Sequence, residues 1–386
     1  MQKKLFEDLP IVKKAIGSIN QTIPFNTIGI HGVLYDISSI NHPGGDLFIK
    51  LAAGTDATSL FETHHLNSNI ANKYLQTLLK KGTYTQIEKY DYTEYNQFKT
   101  IMFRKFPDKK SRRMTNYGFF ILLLFFSAWF IIHTLLVLSK FDKFWFPLCM
   151  ISSFLNSICG GYAHNALHSL SPISIFLDWN GLSCYEWLLE HLQSHHMNVN
   201  TIYDHDSISM EPLLNWLPNR PTTTFNINKV IIKNAIFTIS EIVVAFNGNF
   251  VHKARWKILF RKGFPIWMKL APFFFCIRIF THIYFQGFYL GLVTFFTTLC
   301  TAGYMFSYLA HLNHTFGSDE RPNFLRHQLA NTNDINSFFK GPLILFLDRQ
   351  TIHHLFPSID HTRVFSVNGK AITELNKKLN NVFKTF

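Results

Sequence analysis

Acidic residues are scarce in this chain and cysteines scarcer still: 24 Asp and Glu stand against 37 Lys and Arg, with five Cys in 386 residues. Cys149, Cys159, Cys184, Cys276 and Cys300 form no CxxC pair and mostly lie in apolar runs. That argues against a disulfide scaffold and for a reduced setting, facing the cytosol or inside a membrane. The net charge of +13 is not gathered into a basic stretch interleaved with a nucleic-acid module, so nucleic acid is not an expected partner. Basic loops retained beside anionic lipid explain it better. There is no internal repeat and no low-complexity tract. The opening MQKKLFEDLP lacks an early apolar core, so no cleavable signal peptide is expected.

Apolar surface is what the chain has in excess. Hydrophobic residues make up 47%, Phe alone numbers 41, and the mean hydropathy is +0.08, too apolar for a solvated globule. The length suits two or three domains, or one domain with a membrane part. Residues 117–138 form an apolar run of 22, broken only by His133 and long enough to span a bilayer. A second run from 144 to about 163 leads back. Another pair occupies 264–309, bent near Gln286 and Gly287, so about four transmembrane helices are expected. Arg278 and His282, inside that pair, are expected to face the bundle interior unless they snorkel. Basic residues at 109–113 and 253–262 lie on one side of both pairs, which puts the termini and the histidine clusters in the cytosol. Residues 229–246 carry Lys233 and Glu241 and read as an interfacial amphipathic helix.

Ahead of the spans, residues 20–85 read as a small α+β unit. His31-Gly32 is a turn, 33–37 a strand, and His42-Pro43-Gly44-Gly45 a loop with strong backbone punctuation. Short helical patterns follow at 46–53, 56–61 and 70–79. The loop, with Ala53-Gly54-Thr55-Asp56-Ala57-Thr58, Phe61 and a terminal His, resembles a cytochrome b5 haem domain. The resemblance implies haem b held by two loop histidines, His42 and His65, with His64 as runner-up. Both axial positions filled by imidazole make such a haem an electron carrier, not an oxygen binder. Residues 86–113 read as a polar tether with a basic end, 114–365 as the membrane domain and 366–386 as a tail.

Three histidine clusters lie beside the apolar runs: His164 and His168; His191, His195 and His196; and Gln350 with His353 and His354. Residues four apart share a helical face, while His196 points about 100° away from His195, so one segment can feed two metal ions. Neutral imidazole is the commonest nitrogen ligand for transition metals. His314 supplies an eighth imidazole, and Gln350 a weak amide ligand or a donor just behind the ligands. Asp204 and Asp206 either orient ligating rings or form a solvated acidic turn. His205, His311, His327 and His361 are weaker candidates.

The pattern of HxxxH, HxxxHH and QxxHH around two hydrophobic hairpins resembles the membrane fatty acid desaturase family. Gln350 behind a cytochrome b5 domain is similar to its front-end branch, and the layout is also similar to insect-type cytochrome b5-related proteins. The resemblance implies a cytochrome b5-like haem domain fused to an all-α membrane domain with a cytosolic histidine-rich cap. It implies two non-haem iron ions, and no catalytic residue beyond their ligands. Electrons from an NADH-cytochrome b5 reductase would pass through the haem, and molecular oxygen would desaturate a lipid or acyl chain at the endoplasmic reticulum. The rival readings are a lipid hydroxylase on the same irons and a haem-binding membrane protein without catalysis. Asn165 stands where front-end enzymes often have Asp.

Overall fold

The computed structural model describes residues 23–86, 89–201, 203, 204, 206, 264–314 and 322–366, with a few scattered positions between 235 and 245. The expected interfacial helix at 229–246 falls mostly outside these residues. The basic run at 253–262, His205 and all but the first residue of the tail fall outside them entirely.

The amino-terminal unit carries a three-stranded antiparallel sheet in the order β1 (Thr27–Ile30), β2 (Val33–Asp36), β3 (Lys80–Thr83). His31 (φ 49°) and Gly32 (φ 78°) both take positive φ, as a two-residue hairpin turn of matching twist requires. Helices α1 (Leu47–Leu51), α2 (Thr58–His64) and α3 (Ser68–Gln76) complete the unit, close to the sequence expectation.

The segment read as a polar tether is built differently. It contains helix α4 (Thr93–Lys105), on which Tyr95, Phe98 and Met102 recur at helical spacing and are buried. That stripe packs with Phe324, Leu355 and Phe356 far downstream, so the tether is itself a core element. A capped turn, α5 (Lys109–Arg112), leads into α6 (Asn116–Leu138).

Helices α6 and α7 (Trp145–Leu167) pair closely, and α10 (Ile266–Gln286) and α11 (Phe288–His314) form the second hairpin. Gly287 makes the sharp reversal between them at φ 79°. The 109–138 stretch, α10 and α11 are long and apolar enough to cross a membrane. Helix α7 is not among them, because Ser152, Ser153, Asn156 and Ser157 interrupt its apolar run. Arg278 sits inside the bundle, 2% exposed, donating to the Trp179 carbonyl (2.9 Å) and to Thr298 Oγ1 (3.0 Å). His282 is buried against His133, ring centroids 5.1 Å apart. Neither side chain snorkels.

Between the hairpins, α8 (Ile175–Asn180) and α9 (Cys184–Trp187) lead into a π-helical stretch, Leu188–His195. After α11 come α12 (Phe324–Asn331), α13 (Gln350–Leu355) and α14 (His361–Ser366). The two parts share one apolar core: Leu51 and Phe61 belong to the same cluster as Leu167, Leu188 and Leu192.

Candidate metal centre

Every expected metal-ligating histidine is buried, and the chain brings all eight together in two adjacent groups. His164, His168, His191, His196 and His353 form one, their ligand atoms within 4.8 Å of one another; His195, His314 and His354 form the other. The π-helical stretch decides this partition. Its i→i+5 hydrogen bonding, seen in His196 N–H donating to the His191 carbonyl, lines up residues five apart. His196 Nε2 therefore lies 3.1 Å from His191 Nε2, and His195 turns to the second group. An ordinary helix would have aligned His191 with His195, as the sequence spacing suggests; their rings do stack at 5.1 Å.

The tautomers follow from the flanking bonds. His191 Nδ1 donates to Asp206 (2.9 Å) and His195 Nδ1 to Asp204 (2.9 Å), so each Nε2 presents a lone pair. Asp204 is fully buried, which excludes the solvated-turn reading for it. His314 Nδ1 donates to the Asn331 carbonyl (3.0 Å), and His354 Nδ1 meets Gln328 Oε1 (3.2 Å). His191 Nε2 then faces His164 Nε2 at 2.7 Å, and His164 Nε2 faces His353 Nε2 at 3.2 Å. Lone pairs converging in a buried space repel unless a cation lies among them, so this donor set fits metal ions.

Burial, reinforced by neighbouring imidazoles, holds His168, His196, His353 and His354 far below the usual imidazole pKa, in the neutral ligating form. For His195 burial pulls the same way, but the Asp204 charge outweighs it and raises the pKa. Gln350 Nε2 lies 3.3 Å from His314 Nε2, and its buried Oε1 has no hydrogen-bond partner among the described residues.

The weaker candidates separate cleanly. His327 spends both nitrogens on the Val199 carbonyl and Asn331, and His311 packs on Phe237. His361 is buried 4.4 Å from the His353 ring, outside both ligand groups. Asn165 donates to Asp360 (2.6 Å). Gln328 and Asn331 were not legible as site residues; the one signal was their helical spacing behind the N-cap Asn323.

In the amino-terminal unit His42 and His65 face each other across a cavity of about 660 Å³, ring centroids 5.7 Å apart. His65 Nδ1 donates to the Phe61 carbonyl (2.8 Å), which leaves Nε2 its lone pair. His42 Nδ1 lies 3.3 Å from the Gly45 carbonyl. Two imidazoles at this spacing, lining one largely apolar cavity, fit a haem iron, which His42 and His65 would hold between them. The His64 ring instead packs on Phe48 (5.7 Å), its Nδ1 3.1 Å from the Leu60 carbonyl.

Fold and site define a membrane-embedded protein with a buried polyhistidine centre packed against a haem-type domain. Residues 143–369 match the Fatty acid desaturase family model and 27–85 the Cytochrome b5-like Heme/Steroid binding domain model. The chain belongs to the fatty acid desaturase family, in its cytochrome b5-fused form. It is 29% identical to Probable Delta(5) fatty acid desaturase C of Dictyostelium discoideum, over 52% of this chain and 47% of the relative. It is 27% identical to the Cytochrome b5-related protein of Drosophila melanogaster, over 49% and 44%. With Fatty acid desaturase 2-like protein FADS2B of Mus musculus identity is 25%, over 82% and 70%. The chain thus spans about half the length of the first two relatives. No solved structure matches it.

Proposed function

We propose that the chain is an oxygen-dependent lipid desaturase that introduces a double bond into a fatty acyl or sphingoid chain, fed by electrons from haem b in its own amino-terminal domain. The observation that carries this reading is the convergence of His164, His191, His196 and His353 at 2.7–3.2 Å between Nε2 atoms, with a second imidazole group beside it.

In this reading His164, His168, His191, His196 and His353 hold one iron. His195, His314 and His354 hold the other, with Gln350 as a weak amide ligand or supporting donor. Two non-haem irons with molecular oxygen would supply the oxidising power to take hydrogen from an unactivated methylene, and the haem would relay electrons to them from the reductase. Asp204 and Asp206 fix the tautomer and direction of His195 and His191. Leu188, Leu192, Leu355 and Phe356, all buried, keep water from the centre. His42 and His65 would both hold the haem, which would reserve it for electron transfer. Fusion raises the effective concentration of donor at acceptor.

Helices α6, α7, α10 and α11 make four crossings, with the polar face of α7 turned inward. The α6–α7 connection and the Gly287 reversal lie on the far side; the basic 109–113 turn, the haem unit and the histidine-rich cap lie on the cytosolic side. This fits the endoplasmic reticulum and a soluble-face NADH-cytochrome b5 reductase. The division is a haem unit at 20–85, a connector at 86–113, a membrane di-iron domain at 114–365 and a tail at 366–386.

The test is expression in a host fed a panel of lipids, with products read by mass spectrometry. Loss of two hydrogens is expected; gain of oxygen would make the protein a hydroxylase. Purified chain should hold two non-haem irons besides haem iron, and none would leave a haem-binding membrane protein. His195→Ala should abolish lipid oxidation with the haem spectrum intact, and full activity in that variant would sink the assignment.

A further inference from the structure

The cavity that His42 and His65 face is not closed by the haem unit alone. Its wall continues over Lys109, Arg112 and Arg113 and over His168, Pro357 and Asp360. The remaining wall is largely apolar, with Phe48, Phe61, Ile70 and Leu75 among its members. Haem b is a flat apolar macrocycle with two carboxylates on one edge. Once its iron is placed between two imidazoles, that edge needs the part of the wall able to take negative charge.

Three basic side chains supply such a part. The Arg112 guanidinium is already committed, donating to the carbonyls of Phe106 (2.9 Å) and Pro107 (3.2 Å). Lys109 and Arg113 are exposed, and among the described residues neither pairs with a carboxylate. Asp360, the acidic residue on the described wall, has its oxygens on Asn165 (2.6 Å) and Thr362 (2.5 Å) and does not compete for them.

The geometry points to Lys109 and Arg113 as the residues that hold the two haem carboxylates, so that the cofactor is gripped jointly by the haem unit and by the turn leading into the membrane. This rests on the reading of His42 and His65 as axial ligands. The turn is fastened in its own right to the segment after the third histidine cluster. Asp360 N–H donates to the Arg112 carbonyl (2.8 Å), Arg363 Nε to the Arg113 carbonyl (2.7 Å), and Thr115 N–H to Thr362 Oγ1 (3.0 Å). Seating haem therefore also braces the haem unit against the iron cap.

The test uses the full detergent-solubilised chain, Lys109→Gln with Arg113→Gln, and reads haem transfer to excess apomyoglobin at low salt. Exposed ion pairs of this kind predict haem loss about threefold to tenfold faster, with the bis-imidazole spectrum unchanged. The difference should shrink as salt is added. Wild-type chain reconstituted with haem dimethyl ester, whose carboxylates are capped, should lose its cofactor as fast as the variant. Capping and substitution together should add nothing further. If the ester is lost faster but the variant keeps native haem at the wild-type rate, the carboxylates are held elsewhere and the proposal fails. It fails too if the substitutions change only binding to anionic vesicles, which would make lipid phosphate the partner. A wild-type spectrum without bis-imidazole haem would remove the axial reading, and this proposal with it.

Discussion

Tyr95 donates its hydroxyl proton to the carbonyl of Leu355, 2.8 Å away and 260 positions downstream. The bond joins α4, which follows the haem unit, to the helix carrying Gln350, His353 and His354. The Tyr95 ring stacks on Phe356 (5.5 Å), so hydroxyl and ring both press α4 onto the segment that carries the third histidine cluster. Tyr95→Phe keeps the stacking and strands a buried carbonyl, at a cost of about 1–3 kcal/mol. A lower melting temperature and faster amide exchange over 350–356 are expected, with the haem spectrum unaltered.

Lys99 and Glu62 hold the other side of the same helix, Nζ to Oε2 2.5 Å, with the lysine 1% exposed. For Glu62 burial alone would raise the pKa, but the His31 bond and the Lys99 charge outweigh it and hold it below the ordinary 4.5. Burial lowers the Lys99 pKa, which the Glu62 charge offsets only in part. Lys99→Met leaves the buried Glu62 carboxylate with only its His31 bond and should cost about 3 kcal/mol, while adding Glu62→Leu should restore most of it. Thermal unfolding of the three proteins checks this. A depressed acid stabilises above its ordinary value and loses that contribution as pH falls through the folded one. Docking of α4 should therefore weaken below the Glu62 ordinary value of 4.5, and more so in the wild type than in the double variant.

The two adjacent histidines of the haem unit should behave differently. His65→Ala removes the ring opposite His42 and should abolish the low-spin bis-imidazole spectrum. His64→Ala removes a ring packed on Phe48 and should leave that spectrum in place. Reduced-minus-oxidised absorption of both variants distinguishes the roles.

Asp204→Asn tests the carboxylates behind the ligands. The amide can still touch His195 Nδ1 but no longer carries the charge that fixes the ring as donor there. Iron affinity should fall about 10–100-fold, read by chelator competition with the haem content as internal standard. An unchanged affinity would return Asp204 to a purely structural role.

Three of the four expected spans, the hairpin at His31-Gly32, the His42-Pro43-Gly44-Gly45 loop and the three histidine clusters were legible because each depends on neighbours a few residues away. Apolar length, turn chemistry and helical spacing are local properties, and they carry over to the folded chain nearly unchanged. The division of eight imidazoles into five and three was not. It depends on the π-helical register at Leu188–His195, which places His191 with His196 and which no local propensity favours. Sequence alone leaned towards His65 over His64, but only packing shows which ring meets His42: both line the cavity, with His65 against His42 and His64 against Phe48. The stretch read as a tether became core because its apolar stripe found partners more than two hundred positions away, at Phe324 and Phe356. The chain by itself determined which side chains are available to bind metal and haem. Tertiary structure decided which of them meet, since convergence at a few ångströms is set by long-range packing and not by distance along the chain.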